Sequence, residues 1–264
     1  MVNEKIAVPA IFASFILLEI LVGRFTQKGK ASRRDVLIEL VSSLTIVLVT
    51  VPVIFSLAPM MIEQIRPGSA DALAFLPWYV MIAILLVGDD MTQYWWHRAS
   101  HSVPLLYNLH RAHHSGRYLS VRIAYRNNLF YYLLMPGIWI SASLVHLGFY
   151  PVYAFYLVVK MTVIFAAHSS WRWDDALYRV KPLQPVMWLV ERTISTPATH
   201  SAHHGMYKSD GVTNYKGNFG NLLFFWDVLF GTAKITRRYP EDFGIEGLEP
   251  VSAQRELMWP LVRK

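Results

Sequence analysis

Five stretches of the chain are almost entirely apolar, and each is close to the length needed to cross a bilayer. They are residues 7–23, 36–58, 72–88, 129–149 and 151–167. Because roughly 20 apolar residues in a helix span the hydrocarbon core, the pattern predicts about four to five transmembrane or membrane-penetrating helices. The last two stretches meet at Tyr150 and Pro151, which predicts a tight helical hairpin whose arms either cross the bilayer or enter it partly.

The composition agrees with an integral membrane protein. Of the 264 residues, 54% are apolar and only 16% are charged, whereas soluble proteins average about 25% charged residues. No Gly/Ser-rich or Pro-rich linker divides the chain, so residues 1–264 are predicted to form a single membrane-embedded, all-α domain. The first apolar stretch ends without a clear cleavage site, which favours a retained anchor over a signal peptide.

The basic residues predict an orientation in the membrane. Five Lys and Arg fall in residues 24–35, whereas residues 59–71 hold only Arg66. Since cytoplasmic loops are enriched in Lys and Arg, we expect the 24–35 loop to lie in the cytoplasm and the 59–71 loop outside. The N-terminus would then lie outside, and the histidine-rich segments and the C-terminal region inside. The excess charge of +7 is expected to contact anionic lipid. Nucleic acid is not expected as a partner, because the charges flank membrane spans.

Eight of the ten histidines occur in three short clusters. They are His97 and His101; His110, His113 and His114; and His200, His203 and His204. Residues spaced i, i+3 and i+4 share one helix face, so each cluster would direct its imidazoles to one side. One ion takes about four to six ligands, so the set predicts two metal ions. The chain has no cysteine, which excludes thiolate ligands and disulfides.

The nature of the ligands narrows the choice of metal. Nitrogen ligands suit iron, copper, zinc or nickel, whereas magnesium and calcium bind oxygen. His168 ends an apolar stretch on the predicted cytoplasmic side and is expected to be a ninth ligand. His146 stands alone in an apolar segment, which favours a structural or interfacial role.

Five acidic or basic side chains are candidates for supporting roles. Asp90 lies two helical turns before His97 and is predicted to accept a hydrogen bond from a ligand histidine. Asp89 lies about 100° further round and is predicted to be a helix-end charge. Glu19 and Lys160 fall inside predicted spans, where they either carry function or reach an interface. Asp227 either anchors the C-terminal helix or reaches the site.

Three motifs, with a segment that follows them, carry a family resemblance. "HRASH", "HRAHHS" and "HSAHHG", with the downstream "NFGNLLFFWDVLFGT", resemble the fatty acid hydroxylase or sterol desaturase superfamily of membrane di-iron enzymes. "HSVPLLYNLHRAHHS" and "TPATHSAHHG" are similar to the bacterial branch related to alkylglycerol monooxygenase. The resemblance assigns the catalytic region to residues 72–235. Some members carry a further H-x-x-x-H motif, in which Arg172 here replaces the second histidine and leaves one metal with an open or water-filled position.

The resemblance implies an activity and its requirements. Two iron ions in a helical cap on the cytoplasmic side would activate O2 to hydroxylate or desaturate a fatty acyl lipid, an alkyl-lipid or a sterol. Zinc can replace iron in purified protein, because nitrogen-rich sites bind zinc more tightly. The chain has no dinucleotide motif, so an external electron-transfer protein or a tetrahydropterin would supply electrons. The bacterial branch implies the inner membrane.

Two other functions fit the histidines alone. A zinc hydrolase would use a metal-bound water, with a pKa lowered to about 7, to attack a lipid ester or amide. A metal carrier would bind ions without chemistry. Residue spacing does not select the lipid, the position oxidised, or hydroxylation over desaturation.

Overall fold

The computed structural model describes residues 3–27, 29–249 and 251–263. Within these residues the chain forms helices and no β-strand, with one isolated bridge between Gly205 and Phe243. The predicted all-α fold is therefore confirmed. The α-helices are α1 (Glu4–Leu21), α2 (Arg33–Thr45), α3 (Val51–Ile65), α4 (Trp78–Leu85), α5 (Thr92–Ser100), α6 (Pro104–His114), α7 (Leu129–Leu133), α8 (Pro136–Leu144), α9 (Tyr150–His168), α10 (Trp173–Tyr178), α11 (Gln184–Thr193), α12 (Pro197–His204), α13 (Phe225–Leu229) and α14 (Ala253–Met258).

Three π-helical turns lengthen these helices. The turns Ile46–Thr50, Leu86–Met91 and Val145–Phe149 join α2 to α3, α4 to α5 and α8 to α9. Two of the resulting stretches, Arg33–Ile65 and Pro136–His168, are long and apolar enough to cross a membrane, and the second of them turns at Gly148 within its length. Leu37, Leu40, Leu44 and Leu48 of the first stretch are each more than 50% exposed. A contiguous exposed apolar stripe of this kind is typical of a surface that contacts lipid.

The long helices run between two ends of the molecule. Glu4, at the start of α1, accepts a hydrogen bond from Tyr150 at the start of α9, at 3.2 Å. Glu19, near the end of α1, accepts one from Ser170 N, just after α9, at 2.7 Å. The two helices are therefore parallel. We call the end near Ser170 the histidine end and the end near Tyr150 the far end.

The apolar stretch 129–149 is not the single membrane helix that the sequence predicts. Helix α7 ends at Leu133, and α8 starts at Pro136. Proline lacks an N–H and disfavours helical geometry in the preceding residue, so Met135 takes an extended conformation and breaks the helix. The stretch therefore contains the short helix α7 and a second helix, α8, which begins between the histidine end and the far end of the molecule.

The backbone turns at Gly148, two residues before Tyr150. Its φ is +108°, and a Cβ added there would lie 2.9 Å from Ala74 N, so the position requires glycine. Helix α8 packs mainly against α3, whereas α9 packs mainly against α1. The sequence predicts a break at Tyr150 and Pro151, and the structure has it nearby, at Gly148. The predicted tight pairing of the two arms of the hairpin is wrong, because α8 and α9 pack mainly against other helices.

Candidate metal centre

Nine histidines converge at the histidine end of the helices. Their possible ligand nitrogens form two groups, and within each group all of them lie within 4.8 Å of one another. The first group consists of His97, His101, His110, His114 and His203, and the second of His113, His168, His200 and His204. All nine histidines that the sequence singles out lie in these two groups, and each group combines histidines from different helices. His146 lies at the far end and contacts Glu63 at 2.9 Å, in agreement with a structural role.

Two short helices orient six of these histidines. Helix α6 begins with Pro104 as its first residue and ends at His114, and all three of its histidines are buried. Helix α12 begins with Pro197 and is capped by reciprocal hydrogen bonds between Thr196 and Thr199. Proline at the first position and a capping box both fix where a helix starts. The i, i+3, i+4 spacing then places each set of three imidazoles on one face.

Backbone carbonyls fix the protonation of four of the rings. Each ring donates its Nδ1–H to a carbonyl oxygen: His97 to Phe219 at 2.7 Å, His203 to Gly217 at 2.8 Å, His168 to Ile164 at 2.8 Å and His113 to Arg126 at 3.1 Å. A carbonyl only accepts hydrogen bonds, so Nδ1 carries the proton and Nε2 keeps its lone pair in the neutral ring. The Nε2 atoms of these rings are thereby prepared as ligands.

The Nε2 atoms face one another at distances that fit bound cations. His113 Nε2 and His168 Nε2 lie 3.4 Å apart, and both carry lone pairs in the neutral tautomers set by their carbonyl partners. Two lone pairs at this distance repel unless a positive charge lies between them. The Nε2 atoms of His97, His101 and His203 are buried without a hydrogen-bond partner. Buried polar atoms without partners are rare in proteins, so both groups fit a metal ion.

Burial keeps the histidines of α6 and α12 neutral. Desolvation is the main cause that lowers the pKa values of His113, His114 and His203 well below 6.5, and neighbouring histidines lower them further. A neutral imidazole is the form that binds metal, so these rings are ready to act as ligands at neutral pH.

Asp90 does not contact a histidine as the sequence predicts. Its carboxylate accepts hydrogen bonds from Trp226 Nε1 at 2.8 Å and Leu223 N at 3.2 Å. Seven residues of helix place it about 10 Å along the axis from His97, too far for a direct hydrogen bond. The expected direct contact is wrong, and Asp90 instead holds the loop that supplies the Phe219 carbonyl.

Asp227 holds the same loop from its other side. It accepts hydrogen bonds from Phe219 N at 2.8 Å and Gly220 N at 2.6 Å. Asn218 donates its side-chain amide to Thr199 O at 2.8 Å, which ties the loop to α12. Asp227 therefore positions the Phe219 carbonyl, which in turn orients His97. Within the described residues, Asp227 itself does not contact a histidine.

The sequence analysis missed Arg126 and Asn127. Arg126 is fully buried and contacts Asp35 at 2.8 Å, while its carbonyl accepts from His113. Asn127 Oδ1 lies 2.9 Å from His110 Nδ1. The polar run "RNN" at 126–128, directly before an apolar stretch, was the available signal.

Glu19 has a structural role. It is fully buried and accepts hydrogen bonds from Val121 N at 2.9 Å and Ser170 N at 2.7 Å. These contacts fix the chain directly after His168. Arg172 stacks on Tyr239 at 4.1 Å and lines a small polar pocket with Arg24, in a position outside both histidine groups.

Asp89 is not the helix-end charge that the sequence predicts. It lies in the π turn between α4 and α5, where its carboxylate accepts from Lys160 Nζ at 2.6 Å and Tyr156 OH at 2.9 Å. Both members of the pair are buried.

A largely apolar cavity of about 720 Å³ leads away from the histidines. One end is formed by His97, His110, His113 and His168, and the other reaches Tyr150 at the far end. Its dimensions and mostly apolar walls suit a chain-like lipid.

The site and the fold together define a class of helical protein with two histidine groups that could each hold a metal ion, beside a lipid-sized cavity. Comparison with known families identifies it more closely: the chain belongs to the fatty acid hydroxylase family, whose model matches residues 82–232 and so covers all nine histidines. The two helical stretches that are long and apolar enough to cross a membrane agree with a membrane-associated member of this family.

Curated relatives agree with this family. The human alkylglycerol monooxygenase is 29% identical over 182 residues, which cover 67% of this chain and 36% of the relative. The Danio rerio protein of the same name is 29% identical over 157 residues, 56% of this chain and 29% of that relative. The chain thus spans about a third of the length of the curated relatives it matches. No solved structure shows a significant match.

Proposed function

We propose that this protein is a membrane di-iron oxygenase that hydroxylates or desaturates a lipid, using O2 and electrons from an external donor. The observation that carries the proposal is the convergence of nine histidine side chains, in two groups, at one end of a lipid-sized cavity. Each group would hold one ion. Iron, when bound, supplies the activation of O2 that oxidation of an unactivated C–H bond requires.

The overall reaction balances with a two-electron donor. In hydroxylation one C–H bond breaks, one oxygen atom of O2 enters the lipid, and the other leaves as water with two protons and two electrons consumed. In desaturation two C–H bonds break and both oxygen atoms leave as water. The chain itself has no recognisable cofactor-binding motif for a reductant, so we assign the electrons to an electron-transfer protein or a tetrahydropterin.

Residues of the chain would hold the reacting parts in place. The carbonyls of Phe219 and Gly217 fix the rings of His97 and His203, so their Nε2 atoms need no reorientation during the reaction. Val8 of α1 and Val47 of the π turn line the cavity wall. Val47 is 57% exposed on the lipid-facing surface, so a lipid tail would reach the cavity sideways from the bilayer.

The relatives suggest the first substrates to test. Both are named alkylglycerol monooxygenase, and they are 29% identical to this chain over 182 and 157 residues. We therefore propose ether-linked alkyl lipids alongside fatty acyl lipids and sterols as the starting panel.

We further propose an orientation in the bacterial inner membrane with the metal centre in the cytoplasm and the N-terminus outside. The chain has no cysteine, so single cysteines introduced at the exposed positions Ser32 and Ala70 report position without background. We expect a membrane-impermeant thiol reagent to label position 70 in intact cells and position 32 only after lysis. The reverse labelling would place the metal centre outside and contradict the orientation.

Lipid analysis of expressing cells tests the reaction. Cells that make the wild-type chain are expected to accumulate a lipid that has gained one oxygen atom or lost two hydrogen atoms, as measured by mass spectrometry. A His110→Ala variant should not accumulate it, whereas His146→Ala, which changes a histidine at the far end, should. Hydrolysis products alone would favour a zinc hydrolase, and unchanged lipids with iron and reductant supplied would favour a metal carrier.

A further inference from the structure

A buried ion pair lies in the wall of the cavity, away from the histidines. Lys160 and Asp89 are only 7% and 4% exposed, their charged atoms lie 2.6 Å apart, and both line the cavity. Burial of two charges among apolar helices costs desolvation energy that their attraction often fails to recover. Ionisable residues at membrane depth therefore usually serve a function.

This part of the wall has unused hydrogen-bonding capacity. An ammonium group has three donors, and Asp89 is the one hydrogen-bond acceptor found for Lys160 among the described residues. Gln93 lies one helical turn after Asp89, and Ser141 lies one turn after Gly137, where an added Cβ would be 2.8 Å from Asp89 Oδ1. Gln93 Oε1 and Ser141 Oγ also line the cavity, and both are buried without a partner. We call Asp89, Gln93, Ser141 and Lys160 the polar band. A plain hydrocarbon chain beside it would leave these groups without hydrogen bonds, which is costly.

The polar band lies at a defined distance from the metal centre. Asp89 precedes His97 by eight residues, and Lys160 precedes His168 by eight residues. At a rise of 1.5 Å per residue, both intervals correspond to about 12 Å along the helix. Two separate helices thus give the same spacing between the ion pair and the histidines, whereas Gln93, four residues before His97, lies about 6 Å along the helix from it.

We propose that the polar band binds a neutral oxygen group of the lipid substrate, such as a hydroxyl, and thereby sets which carbon lies beside the histidines. A hydroxyl both accepts from Lys160 Nζ and donates to Gln93 Oε1 or Ser141 Oγ. A carboxylate is disfavoured because it would lie beside the carboxylate of Asp89. The inference rests on the proposed oxygenase function, and it places the polar group about 12 Å from the oxidised carbon.

Ligand binding to the full purified chain, without O2 or reductant, tests the band separately from catalysis. The probes are radiolabelled cetyl alcohol, palmitate and hexadecane, which share one chain length. We expect the wild-type chain to bind cetyl alcohol about tenfold more tightly than hexadecane, the order of one hydrogen bond to a charged group. Equal affinities, or tightest binding of palmitate, would overturn the proposal.

A double variant identifies the groups responsible. Lys160→Met with Asp89→Asn removes both charges together, so neither is left unpaired in the membrane region, and it should lose the preference for the alcohol. Thr162→Val is the matched control, because Thr162 lies on the same helix and bonds its own backbone at Val158 O. If the double variant does not fold, Ser141→Ala and Gln93→Leu should each reduce the preference. A preference retained in every variant would contradict the proposal.

Turnover experiments separate this inference from the proposed function. With iron, O2 and reductant supplied, the wild-type chain should oxidise cetyl alcohol at one preferred carbon, and the double variant at several. Oxidation at scattered positions by the wild-type chain would overturn the role of the band while leaving the oxygenase function intact. Alcohol-selective binding without oxidation of any lipid would support the band and contradict the oxygenase function.

Discussion

Replacing His203 with alanine is expected to empty the first histidine group of metal and to abolish lipid oxidation. The His203 ring lies 4.5 Å from the ring of His97 and 4.7 Å from that of His114, at the centre of the group. Loss of a supporting contact alone lowers metal affinity by about 10 to 100-fold, so loss of a ligand should have a larger effect. We expect product formation to fall by at least about a hundredfold.

Elemental analysis of purified protein provides the measurement. The wild-type chain should contain two ions, counted as iron plus zinc because zinc competes for nitrogen ligands. His203→Ala should lose the ion of the first group and should have lower occupancy of the second group. The two groups are linked because the His204 ring stacks on the His114 ring, with 4.4 Å between their centroids. His146→Ala serves as the control and should keep both. Unchanged metal content in a folded His203→Ala variant would contradict the shared arrangement.

Replacing Arg126 with methionine is expected to destabilise the protein by about 3 kcal/mol, the lower end of the usual cost of breaking a buried ion pair, because Arg34 remains beside both carboxylates. The guanidinium contacts Asp35 at 2.8 Å and Glu256 at 3.7 Å, and its Nε donates to Ala112 O at 2.7 Å. The substitution therefore removes the buried cation between the two carboxylates and leaves Arg34, whose guanidinium lies 2.9 Å from Glu256 and 4.0 Å from Asp35. Denaturant unfolding in detergent measures the change.

Arg179→Met is the matched control for this prediction. Arg179 forms an ion pair with Asp175 on the surface, where its side chain is 76% exposed. Exposed pairs of this type contribute about 0 to 1 kcal/mol, so the control should remain close to the wild type. A similar, small effect of both substitutions would show that the buried ion network around Arg126 does not hold helices α2, α6 and α14 together.

The sequence predicts the histidines well because their pattern is local. Spacings of three and four residues place side chains on one helix face whatever the rest of the fold does, so the three clusters could be read directly. His168 was identified differently, from its position at the end of an apolar stretch. The structure brings all nine together, as expected from these two signals.

The residues that orient the histidines could not be predicted from the sequence in the same way. Phe219, Gly217 and Arg126 contribute backbone carbonyls, and every residue has one, so no side chain marks the position. The Asp89–Lys160 pair joins residues 71 positions apart, a separation that no helical period connects. The break at Met135 was visible in principle, because Pro136 follows it, but hydropathy alone ignores backbone chemistry.

The source of the oxygen atom tests the central claim most directly. Membranes that contain the wild-type chain are supplied with iron, a reductant and a lipid panel under isotopically labelled dioxygen, and the lipid products are analysed by mass spectrometry. The proposed di-iron oxygenase predicts a hydroxylated lipid that carries one labelled oxygen, or a desaturated lipid with labelled water, neither of which forms with His110→Ala. Products that take their oxygen only from water, by cleavage of an ester or amide, would contradict it.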